Sequence, residues 1–472
     1  MTLLDEFGLN QAVPAISEHF NATIPDVQWV VLGFLLTTGA LLLPVGRLAD
    51  MVGHRRLYLA GIIIFTIGAL LAGSSPTLSA LIGFKVLQGV GAAMVQATVV
   101  PIITSAFPST QRGKALGMFM GVLALGAIAG PVIGGAAVTL LGWRAMLYLA
   151  APVGAVSIVL AVKVLGISEP ERPKADNADE AEKSAGSFDW AGAALSTIIL
   201  VLLLLTVSNG NSLGWASGVV IGGFVAVATL VAAFVLWELR TPDPMLPLGM
   251  FRNPTFLIGQ AVMFLIVLGN SGIFFLLPFY LQEIAGLTPV LSGLVVSGVP
   301  IAFLTSGPLA GHLSDRLGWR LFLPIGSALG LTSMALLTRL TVDSPIWWSV
   351  LTMLLMGFGI GFIFSPAQNA IYGVVKPDGQ GVVTAFINMA RNTATLSSVA
   401  VGAAIVTATM GSLGFEPSLD AVKEVGQEGI KDAYMQGMTR AFLVGAIVLV
   451  VALVVTLLPI RTQRSTEPPE TP

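Results

Sequence analysis

Charged side chains inside long apolar runs are the residues of this chain most capable of chemistry. Lys85 lies inside the apolar segment 79–106, and Arg391 lies inside the segment 381–410. A desolvated lysine can lose its proton, whereas an arginine keeps its proton in proteins. Charges within membrane spans are functional by default, although a lysine can also snorkel to the interface. We therefore predict that Lys85 faces a cavity, either as a permanent charge partner or as a group that titrates.

Other kinds of reactive site find little support. The chain has no cysteine, and its three histidines, His19, His54 and His312, lack the spacing of metal ligands. Thiolate chemistry and zinc binding are therefore poor interpretations, and we expect neither a metal nor a cofactor. The net charge of −2 gives no sign of a nucleic-acid partner. An integral-membrane enzyme is the alternative from another class, but its only paired acids would be the adjacent Asp5 and Glu6.

The composition indicates a polytopic membrane protein. Of the 472 residues, 55% are hydrophobic and 10% are charged, whereas soluble domains carry about 25% charged residues. With about 20 apolar residues per membrane helix, the sequence predicts an all-α fold with fourteen spans in the lipid bilayer. These lie near 3–19, 27–47, 57–74, 79–106, 114–140, 145–166, 189–208, 215–238, 254–283, 288–310, 320–338, 347–374, 381–410 and 439–460.

Basic residues predict the orientation of these spans. Sixteen lysines and arginines fall in the loops and span ends that we place inside, against five outside. The positive-inside rule then puts both termini in the cytoplasm and the protein in the cell (inner) membrane. A polar segment at 411–438 lies outside, where residues 416–437 are expected to form a short surface helix.

One short motif occurs twice and divides the chain. GRLADMVGHRR (46–56) and GHLSDRLGWR (311–320) carry Gly, Asp and Gly at the same offsets, as Gly46, Asp50, Gly53 and Gly311, Asp315, Gly318. The chain is therefore predicted to be internally repeated. The 265 residues between the copies exceed six spans, so two extra helices must intervene. We predict an N-terminal six-helix bundle (1–167), a polar linker (168–188), a two-helix insert (189–238), a C-terminal six-helix bundle (239–460) and a cytoplasmic tail (461–472).

This motif, Gly-x-x-x-Asp-x-x-Gly-x-Arg, resembles the signature loop of the major facilitator superfamily. The resemblance implies a transporter of two six-helix bundles that works by alternating access. It also implies that the motif locks a closed conformation rather than contacting cargo, with Arg55 and Arg56 keeping the loop on the cytoplasmic side. We assign both copies of the motif to gating.

The fifth span carries GAIAGPVIGG, in which Gly126, Gly130, Pro131, Gly134 and Gly135 follow the pattern G-x-x-x-G-P-x-x-G-G. Small residues four apart allow close helix packing, and the proline bends the helix. The pattern resembles the motif of drug:proton antiporters, which implies export coupled to protons and a gating role. Generic glycine-rich packing is the alternative.

The first span reads LDEFGLNQAVPAI (4–16) and resembles the first-span motif of the fourteen-span drug:proton antiporters. This resemblance implies that Asp5 couples transport to protons, with the adjacent Glu6 as a second candidate. Lys85, in KVLQGVGAA, stands where the family's second motif has arginine; if it pairs with Asp5, protonation of the acid would free it. Only four residues, about 6 Å of helix, precede Asp5. The alternatives are a solvated Asp5 near the cytoplasmic surface or a missing N-terminal piece.

Polar and aromatic residues in the spans are candidates for a cargo cavity, with helix contacts or lipid-facing positions as the alternative. For Arg391 the resemblance favours a brace between helices. Together with the motifs, these residues predict a monomeric, proton-coupled exporter of small amphiphilic compounds; the runner-up is an exporter of one dedicated metabolite, lipid or antibiotic. The cavity candidates are Asn10, Gln88, Asn270, Phe275, Phe279, Gln368, Asn369 and Arg391.

Overall fold

A computed structural model of the protein describes residues 2–107, 112–165, 189–214, 217–242, 244–375, 380–416, 422 and 429–458. All regular structure in these ranges is helical, so the predicted all-α fold is confirmed. Twelve segments of the described chain are long and apolar enough to cross a membrane. The predicted spans 3–19 and 114–140 are also helices but are not among the twelve, so the number fourteen is not confirmed.

The structure describes seven helices in the N-terminal half. They are α1 (Thr2–Phe20), α2 (Ile24–Val52), α3 (His54–Gly73), α4 (Leu78–Ala106), α5 (Arg112–Leu141), α6 (Trp143–Tyr148) and α7 (Ala150–Leu165). Threonine side chains cap two of these helices: Thr23 accepts from the Asp26 N–H and Thr77 from the Ala80 N–H. The predicted sixth span is divided at Leu149 into α6 and α7.

A helical hairpin follows the residues that the linker was predicted to occupy. It consists of α8 (Trp190–Leu213) and α9 (Gly218–Glu238), and it leads into a 3₁₀ helix at Leu248–Arg252. Asp189 caps α8 by accepting from the Gly192 N–H, and Ser217 caps α9 by accepting from the Val220 N–H. The linker 168–188 itself lies outside the described residues.

The C-terminal half begins at Pro254. Its helices are α10 (Pro254–Asn270), α11 (Ile273–Phe279), a π-helical turn (Tyr280–Ile284), α12 (Pro289–Val296), α13 (Gly298–Leu317), α14 (Trp319–Leu337), α15 (Ile346–Val374), α16 (Gln380–Ser412) and α17 (Ile430–Leu457). The ninth and tenth predicted spans are each broken, whereas the sequence predicted single helices. At the first break the Gly272 N–H donates to Ser398 Oγ at 2.7 Å, so a neighbouring helix satisfies the interrupted backbone.

The prediction of a separate surface helix at 416–437 is wrong for residues 430–437, which belong to the last helix. Helix α17 already begins at Ile430, and Tyr434 in its second turn is completely buried. The Tyr434 hydroxyl donates to the Leu276 carbonyl at 2.9 Å. Tyr434, Met435 and Met438 give this stretch an apolar face, which packs against the C-terminal half and extends the last helix. Residues 417–421 and 423–428 lie outside the described chain.

The two signature motifs are also more helical than predicted. Helix α2 continues to Val52, so Gly46 and Asp50 lie in its last turns and the loop is the single residue Gly53, with φ 108°. Gly318, with φ 85°, joins α13 to α14 in the same way. A one-residue turn with positive φ favours glycine, which has no Cβ to clash with the backbone.

The hairpin lies beside the contact between the two halves. Helix α2 packs against α16 and α5 against α12 and α13, and these contacts join the halves. Helix α8 contacts both α2 and α16. One cluster of buried apolar residues therefore takes members from α2, the hairpin, the segment that follows it and α16: Leu43, Ala193, Ile199, Val227, Phe234, Met245, Leu246 and Val382. The domain boundaries remain predictions.

Candidate functional site

Asp5 and Lys85 form a buried ion pair. The Lys85 Nζ atom donates to Asp5 Oδ2 at 2.6 Å. Asp5 is 1% exposed and Lys85 is 0% exposed. Both solvated alternatives are therefore wrong in this structure: Asp5 is not a surface carboxylate, and Lys85 does not snorkel to the interface.

An aromatic ring and atoms without hydrogen-bond partners in the described structure accompany the pair. Lys85 Nζ lies 4.8 Å from the centre of the Phe34 ring, in cation–π range. Among the described residues, Asp5 Oδ1 and both side-chain polar atoms of the buried Gln88 have no hydrogen-bond partner. Buried polar groups normally have partners. The site thus has capacity for another donor, such as a proton on Asp5 or a polar group of a ligand.

Close packing of α1 against α5 holds Asp5 in its buried position. A Cβ built on Gly134 would lie 2.6 Å from Gly8 Cα, and one built on Gly8 would lie 3.0 Å from the Gly130 carbonyl oxygen. The two backbones therefore touch where both helices carry glycine. Gly8 is one helical turn beyond Asp5, so the glycine contact fixes the height of the acid opposite Lys85.

The structure shows fewer contacts for the remaining residues of the fifth-span motif. Gly135 is buried and Gly126 is half-buried. The side chain of Pro131 lies outside the described residues. The gating role assigned to this motif remains a prediction.

The first signature motif meets the opposite half of the molecule. A Cβ on Gly46 would lie 2.9 Å from Ala385 Cβ, so α2 and α16 approach closely there. Asp50 Oδ1 is 3.2 Å from His54 Nε2 across the one-residue turn. Arg55 is half-buried, and Arg56 is exposed.

The second signature motif packs within its own half. A Cβ on Gly311 would lie 2.6 Å from Ser365 Oγ and 4.0 Å from Asn369 Nδ2. The Asp315 side chain is outside the described part of the structure. Gly46, and not its repeat Gly311, therefore makes the close contact with the opposite half.

The cavity candidates do not form one cluster. Asn270 is 2% exposed, donates to the Ile266 carbonyl and lies near Gly330, which places it between helices of the C-terminal half rather than in a cavity between the halves. Phe279 packs on Tyr434 with ring centres 5.1 Å apart. Gln88, three residues after Lys85 on α4, is buried in the N-terminal half and packs against Gly68 of α3. Phe275, Gln368 and Arg391 are half-buried and Asn369 is exposed, while the side chains of Asn10 and Glu6 are not described.

Sequence reasoning missed two buried acids at the hairpin. Asp189 is 7% exposed and Glu238 is 4% exposed. Both lie at the ends of predicted spans, where an acid is expected to reach water. The available signal was that each charge falls inside the predicted span limits 189–208 and 215–238.

A helical membrane protein with two packed halves and a charge pair sealed between its first and fourth helices has the architecture of a membrane transporter. The chain belongs to the Major Facilitator Superfamily, whose family profile matches residues 1–399.

Several named transport and resistance proteins resemble most of the chain. The riboflavin transporter RibZ of Clostridioides difficile is 31% identical over 392 residues, covering 83% of this chain and 82% of RibZ. The tetracenomycin C resistance and export protein of Streptomyces glaucescens is 29% identical over 414 residues, covering 88% and 73% of the two chains. The multidrug resistance protein Stp of Mycobacterium tuberculosis is 29% identical over 415 residues, with the same coverage of 88% and 73%.

Among solved structures, a bacterial homologue of the human lysosomal transporter Spinster matches with a TM-score of 0.58. The match covers 96% of this chain and 94% of that one at 16% identity, which supports the fold alone.

Proposed function

We propose that this transporter is a proton-driven antiporter that exports small amphiphilic compounds. The observation that carries the proposal is the Asp5–Lys85 pair, in which an acid and a base meet at 2.6 Å out of contact with solvent. The names of the drug-resistance relatives support export as the direction of transport.

The pair provides a simple coupling step. A proton that binds Asp5 removes its negative charge and leaves Lys85 as an uncompensated buried cation, which is unfavourable in an apolar site. Movement of the helices that hydrates Lys85, or loss of the lysine proton, relieves this cost. Because α1 and α4 carry one partner each, protonation changes the contact between two helices of the same bundle. The two halves then rock, which opens the contact of α2 with α16.

The same proposal includes the setting of the protein. We propose that it is a monomer in the cell membrane. We place both termini in the cytoplasm on the basis of the sixteen-to-five distribution of basic residues. A proton gradient directed inward would then drive cargo outward.

The test is transport by purified protein in vesicles with an imposed pH gradient. Asp5→Asn keeps the shape of the side chain but cannot ionise, so we expect loss of uphill accumulation with retention of cargo exchange down its own gradient. Asp26→Asn is the matched control, because Asp26 is an exposed acid at the start of α2. Full uphill transport by Asp5→Asn would refute coupling at this residue, and Glu6→Gln would be tested next.

Transport of one dedicated compound is the second candidate. Relatives whose names specify a single compound favour it, namely the riboflavin transporter and the tetracenomycin C exporter. Competition among chemically unrelated amphiphiles in the same vesicles distinguishes the two. Mutual inhibition supports a broad cavity, whereas inhibition by close analogues alone supports a dedicated one.

A further inference from the structure

We propose that Asp189 and Glu238 form a second proton-binding site, in the two-helix insert, where the two carboxyl groups together hold one proton, carried by Glu238. The site is separate from the Asp5–Lys85 pair. It lies where the start of α8 meets the end of α9.

The two carboxyl groups face the same small space. A Cβ built on Gly192 would collide with Asp189 Oδ2 and would lie 3.0 Å from Glu238 Oε1. Glycine at position 192 therefore leaves room for both acids. Asp189 is 7% exposed and Glu238 is 4% exposed, so water does little to screen one carboxylate from the other.

No cation compensates the two acids over the described residues. Arg240 and Arg252 follow the hairpin and Arg47 lies on the neighbouring α2, yet neither Asp189 nor Glu238 makes an ion pair with any of these three arginines. Two like charges buried side by side are costly, and such pairs normally hold a proton.

The hydrogen-bond donors differ between the two acids. Asp189 Oδ1 accepts from the Gly192 N–H at 2.8 Å and from Trp237 Nε1 at 2.9 Å, and Oδ2 lies 3.2 Å from the same indole nitrogen. These donors, at the start of a helix, favour a carboxylate on Asp189.

Glu238 has a different set of contacts. Its Oε2 accepts from the Leu246 N–H at 3.2 Å, whereas Oε1 is buried and has no partner. Oε1 points toward the space beside Asp189. A hydrogen on Oε1 would give this atom a hydrogen bond to make and would remove one of the two negative charges. We assign the proton to Glu238.

The bond from Leu246 connects the site to a groove. Leu246 lines an apolar groove of about 730 Å³ between the hairpin, α2 and α16, together with Leu43, Phe234, Phe251 and Phe386. Glu238 thus links the end of the hairpin to one wall of this groove.

Infrared difference spectroscopy of the full-length protein in lipid tests the assignment, because it detects a protonated carboxyl group without any need for transport. We expect a carboxylic-acid band that shifts in D₂O and disappears at high pH. Glu238→Gln should remove the band. Asp5→Asn, which alters the other acid site, should leave it in place.

Asp189→Asn provides a second readout that does not depend on Glu238→Gln folding. Removal of the neighbouring negative charge should make Glu238 release its proton at a pH lower by at least about one unit. Persistence of the band in Glu238→Gln, or an unchanged titration in Asp189→Asn, would overturn the proposal. A third result would also overturn it, namely that both acids are ionised at every pH tested and that their carboxylate bands change when sodium replaces choline. The pair would then hold a metal cation and not a proton.

Discussion

Gly134 of α5 lies directly against Gly8 of α1, so that a Cβ on Gly134 would be 2.6 Å from Gly8 Cα. Asp5 is one turn from Gly8 on the same helix, and its Oδ2 lies 2.6 Å from Lys85 Nζ. Residues three apart lie on the same face of a helix, so the glycine contact of α1 sets the position of the ion pair one turn away. The fifth-span motif and the ion pair therefore both contact the same helix, α1.

Gly134→Ala should displace α1, since the obstructing atoms are backbone atoms that cannot rotate away. We expect a loss of stability of about 1–3 kcal/mol, the usual cost of overpacking, and reduced uphill transport. Thermal unfolding in detergent and vesicle transport measure the two effects. Gly83→Ala on α4 is the control, because nothing lies within 4 Å of its added Cβ. Equal behaviour of the two variants would remove the positioning role of Gly134.

The ion pair should show strong energetic coupling. Lys85→Met leaves Asp5 charged and buried alone, which costs about 3–5 kcal/mol. The combined variant Asp5→Leu, Lys85→Met removes both charges and should be more stable than Lys85→Met. Unfolding of the single and double variants in detergent gives the coupling energy. Additive losses would show that the two charges do not interact in the folded protein.

Lys85→Arg separates two roles of the lysine. Arginine keeps a positive charge and its proton, so partial uphill transport is expected if Lys85 serves only as the partner of Asp5. Complete loss, with folding intact, would indicate that the lysine must release its proton. Folding is monitored by size-exclusion chromatography, since Lys85 is 0% exposed and a larger side chain must be accommodated.

The close approach of Gly46 to Ala385 should allow the two halves to be cross-linked. The chain has no native cysteine, so Gly46→Cys with Ala385→Cys introduces a single possible disulfide. We expect oxidation to block transport and reduction to restore it, because the bond prevents α2 and α16 from separating. Each single-cysteine variant controls for oxidation itself. Undiminished transport by the cross-linked protein would show that this contact does not open.

The orientation of the spans can be tested with the same cysteine-free background. Asn177→Cys, in the predicted cytoplasmic linker, should resist a membrane-impermeant thiol reagent added to intact cells. Asp343→Cys, in the turn between α14 and α15, should react because that turn is predicted to face outward. The reverse pattern would invert the proposed topology.

The sequence determined the class of this protein, because the hydropathy of a span and the spacing of small residues are local properties. The repeated Gly-x-x-x-Asp-x-x-Gly motif and the first-, fourth- and fifth-span patterns identified the superfamily and singled out Asp5 and Lys85. The same local rules located most helix ends within a few residues. They failed where a distant segment supplies the hydrogen-bond partner that a helix break leaves missing. At Gly272, for example, the N–H donates to Ser398.

Only the tertiary structure decided which charges are buried and what they meet. In the sequence, too few residues precede Asp5 to carry it deep into a membrane span. In the structure, contact with α5 and with Lys85, 80 residues away, seals it from solvent. Glu238 looked like an interfacial acid until the fold placed it beside Asp189 and Leu246. The burial of a charge depends on surfaces contributed by segments far apart in the chain, and no local pattern records which segments those will be.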